Sequence, residues 1–237
     1  MSKIVAIHQP NFLPWLGFFN KIVRSDVFVL LDNVQFPKKG GFWANRVQIL
    51  MNGQPNWMTV PVDRSFHGTK LINEMLINNK TDWRDKMIKS IRQNYIKAPY
   101  FKEIMPVVES LINESTANIA EYNIKAIYTL TEQMGFSTDH FILASNLDTE
   151  GSSNELLISI TKEVGGNIYM CGGGAGGYQD AEKFASAGLR LNYQNFRHPL
   201  YLQMGKGEFV PGLSVIDALF NVGSEAVGSM LRCRAES

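Results

Sequence analysis

Residues 3–32 read KIVAIHQPNFLPWLGFFNKIVRSDVFVLLD, and their alternation of apolar runs and breaks points to one architecture. The run Ile4-Val5-Ala6-Ile7 stops at His8-Gln9-Pro10-Asn11, and a second run, Val27-Phe28-Val29-Leu30-Leu31, stops at Asp32. Short continuous apolar runs, rich in β-branched residues and closed by turn or polar residues, are buried strands. Between them Trp15, Phe18, Phe19, Ile22 and Val23 recur at helical spacing, so a helix begins just after Pro14. Strand, loop, helix and strand in such a short span make a βαβ unit, whose parallel strands must be covered by helices. Open sheets of this kind bind ligands beyond the carboxyl ends of their strands. His8, Gln9, Asn11 and Asp32 fall at that edge, which makes it the first candidate site.

Further along, Lys38, Lys39, Gly40 and Gly41 make a loop, and residues 42–49 a short strand or turn. Asn52-Gly53 is a strong turn signal, and residues 56–62 read as the next strand. Residues 63–69, with His67 and Gly68, read as a polar loop at its end. Apolar residues then recur at helical spacing in three segments, 82–95, 100–112 (despite Pro106) and 116–134. Thr81 is the expected N-cap of the first. Strand character returns at 140–145, and Ser152 with Glu155 has the form of a capping box opening a helix to Val164. Gly165-Gly166 ends that helix, and residues 167–171 make a strand followed at once by the glycines of 172–177. A helix over 180–187, a strand over 189–193, an irregular stretch over 196–213 and a helix over 214–222 complete the chain. The expected fold is α/β, a mostly parallel, Rossmann-like sheet flanked by helices, with an inserted helical segment and an irregular C-terminal region. Residues 1–80 hold the N-terminal βαβ part, 81–137 the helical insertion or cap, and 138–237 the α/β part that completes the same domain.

Composition excludes several classes. With 237 residues, 45% hydrophobic and 19% charged, the chain can bury a sizeable core. The net charge of +1 and the lack of a basic block argue against DNA or an anionic membrane as partner. No run approaches a membrane span, and the first apolar run is too short for a signal peptide. Cys171 and Cys233 lack metal-ligand spacing and suit a reducing compartment, so a cytoplasmic protein without a metal site is expected.

The residues that can carry chemistry cluster at strand ends. His8 is the first candidate acid–base group, and His198 the second, in the functional-group-dense stretch Phe196-Arg197-His198-Pro199-Leu200-Tyr201-Leu202-Gln203. His67 and His140 have no comparable setting. Asp32 with Gln35, Asn45 and Arg46 can bind a ribose, sugar or phosphate, or Asp32 and Arg46 can simply pair and pin a loop. Trp43 and Trp57 can stack on a base or sugar, or fill the core. The glycines of 172–177, Gly174 at their centre, can present amides to a phosphate or merely make a tight turn, and Tyr178 follows them toward any ligand.

Several of these segments carry a resemblance. Residues 7–19 (IHQPNFLPWLGFF), Asp32-Asn33-Val34-Gln35-Phe36, Asn45-Arg46, residues 196–203 and residues 209–221 (FVPGLSVIDALFN) resemble the WbqC-like proteins, across nearly the whole chain. Members of that family are encoded among bacterial surface-polysaccharide, lipopolysaccharide and O-antigen genes, and some are named as glycine transferases acting on amino sugars. The N-terminal order of strand, loop, helix and strand is also distantly similar to the nucleotidylyltransferase superfamily, which includes pantothenate synthetase. That superfamily carries His-x-Gly-His in the turn; here Trp15 and Phe18 stand at the histidine positions and only Gly17 fits. Ser214 is placed like the superfamily's C-terminal Ser/Thr near the phosphates. Without the histidines, ordinary ATP adenylylation loses its usual groups.

The resemblance implies an N-acyltransferase forming an amide on a nucleotide-linked deoxyamino sugar. The acyl unit would be glycyl or another small group from a carrier-protein thioester, an aminoacyl-tRNA or an ATP-derived adenylate, with no tightly bound cofactor. In that reading His8 is the base, Asp32 orients it or the amine, and His198 is the second base. Gln9 and Asn11 donate to the oxyanion, and Arg46 and the glycine amides hold the pyrophosphate. Trp15, Gln35, Trp43, Asn45, Gly174, Tyr178, Tyr201, Gln203 and Ser214 complete the substrate contacts. Partners would be the amino sugar nucleotide, an acyl carrier protein or tRNA, and a second copy of the chain. The alternatives are a glycosyltransferase using such a sugar nucleotide as donor, against which the lack of an Asp-x-Asp metal motif weighs, and a non-catalytic scaffold of the pathway.

Overall fold

The computed structural model describes residues 2–38, 42–172, 179–205 and 207–232. The central sheet is entirely parallel and holds β1 (Ile4–His8), β2 (Val27–Leu30), β5 (Phe141–Leu143), β6 (Ile168–Cys171) and β7 (Arg190–Tyr193), in the order β5-β2-β1-β6-β7. In register, Val5 lies opposite Val27 and Ile4 opposite Ile168. The chain builds outward from β1 to β2 and β5, then returns to add β6 and β7 on the other side. The strand order therefore reverses between β1 and β6, as in doubly wound, Rossmann-like folds.

The two faces of the sheet are sorted by the period of two along each strand. Ala6, Phe28, Leu30, Phe141 and Met170 belong to one apolar cluster. Val5, Ile7, Val27, Val29, Tyr169 and Cys171 belong to another. Because both faces are covered, the strands can be apolar throughout. The larger cluster takes in α1 (Leu16–Val23), α2 (Trp83–Tyr95), α3 (Phe101–Ile112), α4 (Ile119–Gln133) and α7 (Val215–Arg232). The smaller one is covered by α5 (Ser153–Glu163) and α6 (Ala181–Ser186). Residues from 1–80, 81–137 and 138–237 thus share a single core on the first face.

Several elements differ from the sequence reading. The segments read as a short strand or turn over 42–49 and a strand over 56–62 pair with each other as a hairpin separate from the sheet, β3 (Arg46–Met51) and β4 (Gln54–Thr59). Its turn, Asn52-Gly53, has φ of 53° and 76°, the two positive values that a type I′ turn needs. The N-cap of α2 is Asp82 rather than Thr81. Asn118 caps α4 by accepting from the Ala120 and Glu121 amides, so that helix starts later than expected. Ser152 makes no side-chain cap, and Glu155 pairs instead with Lys183. The last helix runs well past Val222, bending at Gly223 (φ 80°), where a Cβ would lie 2.5 Å from the Tyr100 ring. Among the described residues no helix is long and apolar enough to cross a membrane.

Candidate functional site

The strand reversal opens a cavity of about 650 Å³ between the carboxyl ends of β1 and β6. Its walls include His8, Gln9, Trp15, Gly17, Lys21, Gly172, Gln179 and Gln194. Helix α1 forms one side through Gly17, Phe18 and Lys21. Gln194 donates to the Gly17 carbonyl (2.7 Å) and to Asn20 Oδ1 (3.0 Å), and Asn20 donates to the Leu231 carbonyl (3.1 Å). These bonds tie the helix to the loop after β7 and to α7. Gly17 is required here: a Cβ on it would lie 2.2–2.6 Å from the Trp15 indole, which covers it.

His8 Nδ1 lies 3.0 Å from the Gln9 carbonyl. A carbonyl only accepts, so Nδ1 carries the proton and Nε2 keeps its lone pair. Burial first, and the Lys21 ammonium second, push the imidazole down to about 3 against the smaller opposing effect of the Gln9 carbonyl. His8 is therefore neutral throughout the physiological range. Phe18 packs edge-on against its ring at 4.8 Å.

Lys21 was not legible as a site residue. Its side chain is only 3% exposed, and Nζ donates to the Ile7 carbonyl at 3.1 Å. Burial pulls the ammonium from its ordinary 10.5 down to about 8, with Cys171 acting weakly in the opposite direction. The one sequence signal was a lysine among Phe18, Phe19, Ile22 and Val23 in a short, mostly apolar helix. Gln179 adds a buried Oε1 without a partner to the same cavity.

Asp32 does not orient His8. Its Oδ1 accepts the Ser145 amide (2.9 Å) and its carbonyl accepts the Asn73 amide (3.0 Å), so it fixes the turn after β5. Nor does it pair with Arg46, whose guanidinium lies 4.1 Å over the Trp57 ring. Trp57 in turn meets Trp43 at 5.6 Å, and both indoles stay exposed (42% and 45%) on the hairpin side rather than in the β1/β6 cavity. Gln35 forms a bridge with Leu71. Asn11 and Asn45 are buried, each with an unpartnered Oδ1, and Asn45 donates to the Val60 carbonyl. Asn123, unnoticed in the sequence, donates to the Pro10 and Ala44 carbonyls and binds the site loop to the segment that carries Trp43.

The C-terminal candidates gather around a different residue, Asp217. This buried carboxylate accepts from Tyr95 (2.7 Å), Tyr201 (2.8 Å) and Gln203 (3.3 Å), and burial raises its pKa. His198 stands near it with Nδ1 on the Pro199 carbonyl and a buried, unpartnered Nε2; burial lowers its pKa. Trp15 joins the two groups, since its indole contacts Phe196 (5.3 Å) and His198 (6.4 Å) while lining the cavity. Ser214 Oγ donates to the Leu13 carbonyl (2.7 Å), a structural role at the start of α7. Gly174 and Tyr178 lie outside the described residues.

The parallel order and the cavity at its reversal define a Rossmann-like α/β protein with a candidate ligand cleft at the switch point. The model of the WbqC-like protein family matches residues 9–229, and the chain belongs to that family. It is also 32% identical over 238 residues to "Uncharacterized protein Rv1507c" of Mycobacterium tuberculosis, covering 98% of this chain and 99% of the relative. No solved structure matches.

Proposed function

We propose that the protein is an N-acyltransferase that forms an amide on the amino group of a nucleotide-linked deoxyamino sugar, in the cytoplasm, for surface-polysaccharide assembly. The observation that carries this reading is His8, a neutral imidazole in the wall of the switch-point cavity, with no hydrogen bond to its Nε2 among the described residues. The cavity volume falls within the usual range for small-molecule sites. Gln9, Gln179 and Gln194 give its wall the amide groups suited to sugar hydroxyls, and Gln179 Oε1 is short of a donor. The family match is to the WbqC-like proteins, the resemblance from which this reading is drawn.

A base as weak as His8 does not strip a proton from a free ammonium. It is suited to a later step. The neutral sugar amine attacks the activated carbonyl, forming the C–N bond and a tetrahedral adduct whose nitrogen is cationic and far more acidic than the starting amine. His8 Nε2 accepts that proton, and collapse of the adduct expels the thiolate, ribose oxygen or phosphate of the donor. Trp15 forms part of one wall of the cavity.

Calorimetric titration with thymidine- and uridine-linked 4-amino-4,6-dideoxy sugars, against the free nucleotides, tests this. Binding that depends on the amino sugar is expected. Equal binding of the bare nucleotide would favour a glycosyltransferase or nucleotidylyl reaction, and no binding of any of them would refute the sugar-nucleotide reading.

A further inference from the structure

Lys21 is a buried charge for which the described residues show a single use, one hydrogen bond to a carbonyl. Surface lysines carry their ammonium outward along an apolar stem, but this one points it into the interior and opens on the switch-point cavity. An ammonium has three donors. One meets the Ile7 carbonyl, and among the described residues Lys21 has no ion pair and no second hydrogen bond. An apolar residue would fill the same place more cheaply unless the charge is used. The groups that act on it are neutral: His8 at the end of β1 and Cys171 at the end of β6, whose thiol burial pushes up; Tyr169, whose phenol burial also pushes up, lines the same cavity. Arg24, one turn along α1, directs its guanidinium to the Gln194 carbonyl. On the cavity side, a Cβ on Gly172 would meet nothing within 4 Å among the described residues.

We infer that the Lys21 ammonium is the fixed cation of an anion site at the β1/β6 switch point, taking a phosphate or carboxylate of whatever ligand occupies the cleft. Arg46, the other cation considered for such a group, is engaged with Trp57 outside this cavity. The inference deepens the proposed function by giving the sugar nucleotide's diphosphate a counter-charge, yet it stands on the geometry of Lys21 and can hold without that reading. It also couples the two ionisable groups of the site. An anion beside Lys21 offsets the charge that depresses His8, and so raises the imidazole's proton affinity once ligand is bound.

The probe is sulfate, whose charge does not change between pH 7 and 9.5, titrated calorimetrically into the full-length protein. Because only the protonated lysine binds, affinity should fall about 30-fold from pH 7 to pH 9.5, given a lysine that loses its proton near 8. Lys21→Arg should bind sulfate with no such fall. Lys21→Met should lose saturable binding while keeping the wild-type circular dichroism. Cys171→Ser should retain the fall, which assigns it to the lysine. Binding that survives in Lys21→Met, or that ignores pH in the wild type, would overturn the inference, as would a failure of sulfate to bind at all. Displacement of sulfate by a phosphodiester, or instead by acetate, tells phosphate from carboxylate. A sugar nucleotide that fails to displace sulfate would count against the proposed function and leave the anion site standing.

Discussion

Replacing Lys21 by methionine should stabilise the fold at neutral pH and do the reverse at high pH. The drop of its pKa from 10.5 to about 8 corresponds to about 3 kcal/mol, at roughly 1.4 kcal/mol for each tenfold change in proton affinity. The sign follows from which state holds the proton. Below pH 8 the lysine is charged in both states, and the folded protein bears the full penalty of burying that charge. Between pH 8 and 10.5 the unfolded chain binds the proton and the folded one does not, so stability rises with pH across that window. Methionine fills a similar volume and removes the penalty, but it also leaves the Ile7 carbonyl without its donor, a loss of about 1 kcal/mol. The net expectation is a gain of about 2 kcal/mol at pH 7, or roughly 4–8 °C in Tm for a chain of this size. By pH 10.5 the gain should have gone, leaving the variant about 1 kcal/mol less stable than the wild type. Urea unfolding at pH 7 and pH 10.5 reads both values. A variant that is less stable at pH 7, or whose difference from wild type does not change with pH, would show that Lys21 is not a buried, uncompensated cation.

Three further substitutions test other parts of the account. His8→Asn should lower turnover by about 100-fold or more while leaving sugar-nucleotide affinity nearly unchanged; in urea titrations it should also flatten the loss of stability between pH 6.5 and about 3, where only the unfolded chain protonates His8. Gly17→Ala should displace the Trp15 indole, shift tryptophan fluorescence and cost about 1–3 kcal/mol in chemical denaturation, because the added methyl overlaps that ring. Tyr95→Phe should cost about 1–3 kcal/mol by the same measurement, since it removes a donor from buried Asp217 and an acceptor from the Leu50 amide together.

What the sequence made legible was local. The runs at residues 4–7 and 27–31 announce parallel strands because a sheet covered on both faces tolerates apolar residues on both. Asn52-Gly53 announces its turn because both residues accept positive φ. That the hairpin would stand apart from the sheet was not legible, since turn chemistry fixes a pairing and not its neighbours. Ser152 and Glu155 match a capping pattern, but Ser153 adopts φ 52° and Glu155 is drawn to Lys183, a partner supplied by tertiary packing. The site divides in the same way. His8 and Gln9 were readable from their place at the end of a strand, whereas Lys21 looks like an ordinary helix lysine until both neighbouring elements are in position. Asp217 is recognisable as a clamp only once Tyr95, 122 residues away in sequence, is brought against it.

The most direct measurement of the central claim is the mass of the product formed from a nucleotide-linked 4-amino-4,6-dideoxy sugar. The purified protein would be supplied in turn with a glycyl or small-acyl carrier-protein thioester, an aminoacyl-tRNA, or the free acid with ATP. A sugar nucleotide heavier by one acyl unit, with its nucleotide still attached, is expected from one of these donors, at a rate sharply reduced in His8→Asn. Release of the nucleotide without acylation, or acylation that proceeds equally well without His8, would contradict the central claim.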